Sequence, residues 1–158
     1  MMHQVRVGIV GCGQMTQSHI KGILEIDNRV TVCAVCDIDM ERAKKAADSL
    51  GAAVVAQDYR DIAGHVDAVL VALPHDLHYE VGSFFLERGV HVLMEKPLCN
   101  SEDECVRLIE QAEKAHKVLM TAYPVRYWPV VQKMKELVDS HIYGDVFQMS
   151  IWTEQFTK

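Results

Sequence analysis

The sequence has no apolar run long enough to cross a bilayer, so no membrane-spanning helix is expected. It has no basic patch interleaved with aromatics, and its formal net charge is -6. Nucleic acid is therefore not an expected partner. There is no internal repeat and no low-complexity segment. The opening residues MMHQVRVGIV run straight into a strand pattern without the charge and small-residue signature of an export signal, so a cytoplasmic protein is expected. Disulfides are not expected either. The five cysteines, Cys12, Cys33, Cys36, Cys99 and Cys105, are odd in number and read as reduced thiols. Cys33 and Cys36 have the spacing of a redox pair, but they lie within the apolar run VTVCAVC. Residues three apart in a strand point to opposite faces, so both are expected to be buried strand cysteines. What remains is an ordinary globular composition: 158 residues, 49% apolar and 24% charged, about one domain with a real core.

Strand and helix patterns alternate along most of the chain. VRVGIV precedes a helix with Ile20, Ile23 and Leu24 on one face. VTVCAV precedes MERAKKAADSLG, where Ala43, Ala46, Ala47 and Leu50 share a stripe and Gly51 suits a helix end. AAVVA follows, and then DAVLVAL, a continuous apolar run of the kind a strand buried on both faces needs. The next helix carries Leu77, Val81, Phe84 and Phe85 and stops at Gly89. VHVLM is another strand. Ser101 and Glu104 form a capping box for a helix reaching about His116, and KVLMTAY is a sixth strand. This order predicts a doubly wound parallel sheet with helical crossovers, a Rossmann-type α/β domain, over residues 1–124. Residues 125–158 differ. WPVVQKMKELVDS predicts a helix with Val130, Met134, Leu137 and Val138 on one stripe. VFQMSIW alternates, with Phe147, Met149 and Ile151 on one side, which predicts a half-buried strand of another sheet. A strand of that kind needs partners. We therefore expect this segment to be the start of a second α/β domain, cut short, and the protein to form a homo-oligomer through that sheet.

The candidate site residues follow strand ends. Gly11-Cys12-Gly13 lies between the first strand and its helix. Gly11 permits a tight turn, and Gly13 lets the backbone approach a pyrophosphate that the helix N-terminus would hold. A bare Gly-x-Gly also occurs in turns that hold nothing. Asp37 ends the second strand, where a carboxylate would accept from an adenosine ribose and repel a 2′-phosphate. No Arg follows in Ile38-Asp39, which favours NAD over NADP. An acid here can instead cap the next helix, a role that suits Asp39 better. In ALPHDLHYE, after the fourth strand, Asp76 suits a helix start. His75 and His78 have the spacing of a metal pair, but no Cys or carboxylate cluster supports one, so no metal is expected. In MEKPL, after the fifth strand, Pro97 restricts Lys96 to an extended conformation. A Lys in a partly dry cleft suits proton transfer, while a solvated Lys paired with Glu95 is the alternative.

These stretches together resemble the Gfo/Idh/MocA family, which includes glucose-fructose oxidoreductase and inositol dehydrogenase. The likeness rests on VGIVGCGQM, AVCDID, ALPHDLH, MEKPL and VRYWPVVQKMKELVDSHIYGDV, in that order along nearly the whole chain. The resemblance implies an NAD(P)-binding Rossmann domain followed by an α/β domain with an open sheet. It implies hydride transfer between a nicotinamide and a carbinol of a sugar or cyclitol, with Lys96 as the catalytic residue. It places cofactor contacts at Gly11, Gly13, Gln14, Met15, Asp37, Leu73, Pro74, His75, His78, Glu95 and Lys96. It also implies a cis Lys96-Pro97 bond, and a second catalytic group beyond Lys158, so this stretch alone is expected to be inactive. The chain departs from the family at Thr16, where a small residue is usual, and at His75, where Asn is usual. An NAD-dependent glycoside-cleaving hydrolase of the same family and a non-catalytic dinucleotide-binding module are the alternatives.

Overall fold

A computed structural model describes residues 4–26 and 28–152. The backbone divides after Ala122 into two compact units. The first holds six strands, β1 (Val5–Val10), β2 (Val30–Cys36), β3 (Val54–Ala56), β4 (Ala68–Val71), β5 (His91–Met94) and β6 (Leu119–Thr121). Four helices connect them: α1 (Gln14–Leu24), α2 (Met40–Leu50), α3 (His78–Glu87) and α4 (Glu102–Lys114). A 3-10 turn, Tyr59–His65, links β3 to β4, where no helix is expected from the sequence. All pairings are parallel and the sheet order is β3-β2-β1-β4-β5-β6. This is the doubly wound arrangement, in which the order reverses between β1 and β4.

Successive strand residues feed two cores. Val10, Ala34, Cys36, Val69 and Val71 pack on one face with Val81, Phe85 and Leu108 from α3 and α4. Ile9, Val35 and Leu70 pack on the other with Ile20 of α1 and Ala43, Ala46 and Ala47 of α2. Burial on both faces is why these strands read as continuous apolar runs. The helix ends follow their predicted chemistry. Asp39 accepts from the amides of Glu41 and Arg42, and Gly51 closes α2 in the left-handed region with φ 71°. The Ser101 hydroxyl accepts from the Glu104 amide at 3.2 Å. Glu104 returns a bond to the amide of Asn100 rather than to that of Ser101, also at 3.2 Å.

Three local expectations fail. Cys33 is only half-buried, because β2 carries an extra residue there, between the partners of Val7 and Gly8. Asp76 lies in the short 3-10 turn His75–Leu77 that leads into α3, but its side chain caps neither element. The predicted strand VFQMSIW is absent, since residues 144–152 carry no regular structure. A strand is defined by its ladder, and no other strand lies among the described residues of this unit to offer that segment an edge. The second unit otherwise contains the 3-10 turn Pro124–Tyr127 and a helix, α5 (Pro129–Asp139), close to the span predicted for it. Among the described residues no helix is long and apolar enough to cross a membrane.

Candidate functional site

The turn after β1 is built around one forced glycine. Gly11 has φ 91°, and a Cβ there would lie 2.2 Å from the carbonyl oxygen of Ala72 on the loop after β4. No side chain fits. Its amide donates to the Cys36 carbonyl at 2.8 Å, tying the turn to the end of β2. Thr16, at the position where a small residue is usual, is fully buried, and its hydroxyl donates to the Gly11 carbonyl at 2.6 Å. The departure from the fingerprint thus becomes a brace on the turn, because the hydroxyl satisfies a carbonyl that would otherwise be buried unpaired. At Gly13 a Cβ would meet nothing within 4 Å, so the space over the turn is open. Gly13 is the N-cap of α1, where no side chain caps the helix and no acid lies in the first turn. The first amides of α1 are left for an anion, and a pyrophosphate fits this cradle. Gln14 and Met15 are exposed on this turn, and Gly13, Gln14 and Gln17 share a groove with Arg42 and Lys45.

Asp37 is buried beside this turn. Its carboxylate accepts from the Cys12 amide at 2.7 Å and from the Asp39 amide at 2.8 Å. Each oxygen thereby uses one of about two lone-pair positions, leaving capacity for further donors. Asp37 lines a cleft of about 240 Å3 with Val10, Ile38, Tyr59, Leu73 and Leu77. Tyr59 donates to Glu80 at 2.7 Å, and Arg60 is held by Asp58 at 3.0 Å and Glu80 at 3.3 Å. Burial, with Asp37 nearby, pushes the Cys12 thiol up to about 11, and burial pushes Cys36 up to about 12. Both are inert thiols beneath the turn rather than nucleophiles.

The loops after β4 and β5 form the other side. Pro74 and His75 are exposed. His78 is fully buried, with Nδ1 2.7 Å from the Pro97 carbonyl and Nε2 3.0 Å from the Leu73 carbonyl. Both ring nitrogens face main-chain carbonyls, so His78 holds the two loops together from beneath and offers no nitrogen to a ligand or metal. The Lys96-Pro97 bond is cis. Lys96 is exposed, and Glu95 is buried. Glu95 does not pair with the Lys96 amine. It accepts from the Lys96 backbone amide at 3.0 Å and pairs with His19 of α1 at 2.6 Å. Gly11, Gly13, Asp37, Leu73, Pro74, His75 and Lys96 thus all lie past the carboxyl ends of β1, β2, β4 and β5, where open α/β sheets bind ligands. Tyr59 of the cleft and His19 carry no single-sequence signal. They reach the site only through a 3-10 turn and a helix face that the fold brings round.

Fold and site together define a dinucleotide-binding α/β domain. The chain belongs to the Gfo/Idh/MocA oxidoreductase family, whose model for the NAD-binding Rossmann fold matches residues 5–123. It is 30% identical over 151 residues to an inositol 2-dehydrogenase/D-chiro-inositol 3-dehydrogenase of Lactiplantibacillus plantarum, covering 93% of this chain and 43% of that protein. It is 34% identical over 139 residues to inositol 2-dehydrogenase 3 of Saccharopolyspora erythraea, covering 86% and 41%. The WlbA dehydrogenase of Bordetella pertussis, solved with NADH and UDP-GlcNAcA, superposes with a TM-score of 0.84 at 25% identity, covering 90% of this chain and 44% of that one. The chain therefore spans less than half the length of these relatives. The matched region is that of an NAD-binding Rossmann fold.

Proposed function

We propose that this chain supplies the cofactor half of a dehydrogenase that oxidises a carbinol carbon of a cyclitol or sugar-like molecule, with NAD preferred over NADP. The observation that carries this reading is the distribution of groups around the β1/β4 reversal. An open phosphate cradle lies at its centre, Asp37 lies on one side at the end of β2, and Lys96 on the other at the end of β5. The bound nicotinamide supplies a two-electron hydride acceptor. The residues here bind and orient it. The α1 amides take the pyrophosphate, with Gly11, Gly13, Gln14 and Met15 forming the turn. Asp37 accepts from the ribose hydroxyls of the adenosine. The loop Leu73-Pro74-His75, braced by His78, borders the nicotinamide side. Lys96 Nζ is the group that takes the hydroxyl proton as the carbinol carbon is oxidised. The amine of Lys96 has no ion-pair partner among the described residues, which leaves it available for that task.

The inositol dehydrogenase relatives support the cyclitol class, and the WlbA dehydrogenase supports a broader sugar class. Residues 125–158 open the substrate domain in this reading, which also carries the protein's self-association. Titration of NADH and NADPH by fluorescence tests the cofactor preference: NADH binds more tightly, and Asp37→Ala narrows the gap. Equal affinities in the unaltered chain defeat the role of Asp37. For the reaction, the full-length protein should reduce NAD with an inositol or a sugar, and a protein that binds NADH yet reduces no NAD with any polyol is a binding module instead.

A further inference from the structure

Lys96 is exposed on its loop, but the residue before it is buried and held at both oxygens. Glu95 Oε1 lies 2.6 Å from His19 Nε2, and Oε2 accepts the Lys96 amide at 3.0 Å. A carboxylate only accepts, so Nε2 is the donor. The Glu95 amide in turn donates to the Val71 carbonyl at 2.9 Å, which fixes the start of the loop to β4. His19 stands on α1, whose uncapped N-terminus forms the phosphate cradle. Five residues of rise separate it from Gln14, about 7.5 Å along the helix. One rigid element therefore carries the cradle at its start and the imidazole further along.

We propose that His19 is a positioning residue for Lys96: by holding Glu95 to the dinucleotide-binding helix, it sets where the Lys96 amine is presented to the substrate hydroxyl. This rests on the assignment of proton transfer to Lys96. Without His19 the buried carboxylate keeps a single donor, that of Lys96 itself, and turns toward water to recover the second. The Lys96 amide moves with it. The cradle and Asp37, held by Gly11, Thr16 and Cys12, share no hydrogen bond with the pair and are undisturbed.

The test combines amide hydrogen exchange and NADH titration on this chain with kinetics on the full-length protein. In His19→Ala, exchange at the Lys96 amide rises about tenfold or more, the factor expected for one lost charge-assisted bond. NADH affinity stays within about threefold, and kcat falls while the KM for NAD holds. His19→Gln, whose side-chain amide can still donate to Glu95, restores both the protection and much of kcat. If His19→Ala fails to fold, His19→Phe, which keeps a ring but has no donor for Glu95, serves, and the same selective loss at Lys96 is expected. Unchanged exchange at Lys96, or a loss of NADH affinity and thermal stability in proportion with no selective effect on Lys96, overturns the proposal. Lys96→Ala with full turnover is a different failure. It removes the catalytic assignment while the exchange result at Lys96 stands.

Discussion

The two glycines of the turn should respond to the same substitution in opposite ways. Gly11→Ala places a Cβ 2.2 Å from the Ala72 carbonyl oxygen and 2.8 Å from its carbon, at φ 91°. The positive φ alone costs about 1–2 kcal/mol for a residue with a Cβ. The overlap is with backbone, so no side chain can swing aside. The Ala72 carbonyl must retreat, and the Ala72 amide bond to Val10, now 2.8 Å, goes with it. Forced overpacking adds about 1–3 kcal/mol. The total, about 2–5 kcal/mol, is a large share of the roughly 5–15 kcal/mol that holds a domain folded. Gly13→Ala meets nothing within 4 Å and keeps an ordinary φ of -74°. Its only folding cost is a poorer N-cap, about 0.5–1 kcal/mol. Its methyl instead stands in the space a pyrophosphate would fill, so NADH affinity should fall by about tenfold or more as the phosphate loses amide contacts. Urea unfolding and NADH fluorescence titration of both variants separate the effects. A Gly11→Ala protein as stable as the parent, or a Gly13→Ala protein that binds NADH as tightly as the parent, refutes the division of labour.

Four further outcomes are expected. Thr16→Val, of equal shape, strands the Gly11 carbonyl and should cost about 1–3 kcal/mol, seen as a Tm lower by several degrees. In the full-length protein Lys96→Ala should lower kcat by about 10²–10⁴ while NADH affinity in a binding titration changes little; a kcat within a factor of two of the parent excludes proton transfer by this amine. Asp37→Asn should lower the preference for NADH over NADPH and also reduce Tm, since one oxygen that accepts from Cys12 or Asp39 becomes a donor. Alkali should destabilise the fold: the buried Cys12, Cys36 and Cys99 thiols sit near 11, 12 and 12 when folded, against 9.0 when free. Their folded values are raised, so their contribution is complete below pH 9.0 and is lost as pH rises toward about 11–12. Thermal melts across that interval should show the decline, and Cys12→Ala should reduce its slope.

The sequence by itself determined the sheet, the cradle and the positions of Asp37 and Lys96. A strand buried on both faces must be continuously apolar, a crossover helix must show a stripe, and a phosphate turn must have glycine where backbone meets backbone. These are local demands, and each leaves a mark within a few residues, as in VRVGIVGCG and DAVLVAL. Asp39, Gly51 and Ser101 were legible for the same reason, because a helix end is satisfied from its own neighbours. The tertiary structure alone decided what Glu95 and His78 do. Both lie in stretches after strand ends that look like cofactor contacts in the sequence. Glu95 is instead turned to His19, 76 residues away, and His78 to the carbonyls of Leu73 and Pro97. It decided the fate of Thr16, whose hydroxyl finds a carbonyl only once the turn has closed. It decided the cleft wall at Tyr59, on a 3-10 turn without a periodic signal. It also decided that VFQMSIW, for all its alternation, is no strand here. Alternation encodes which side of a strand is apolar, but the ladder that makes the strand is supplied by another segment, and no pattern within seven residues contains it.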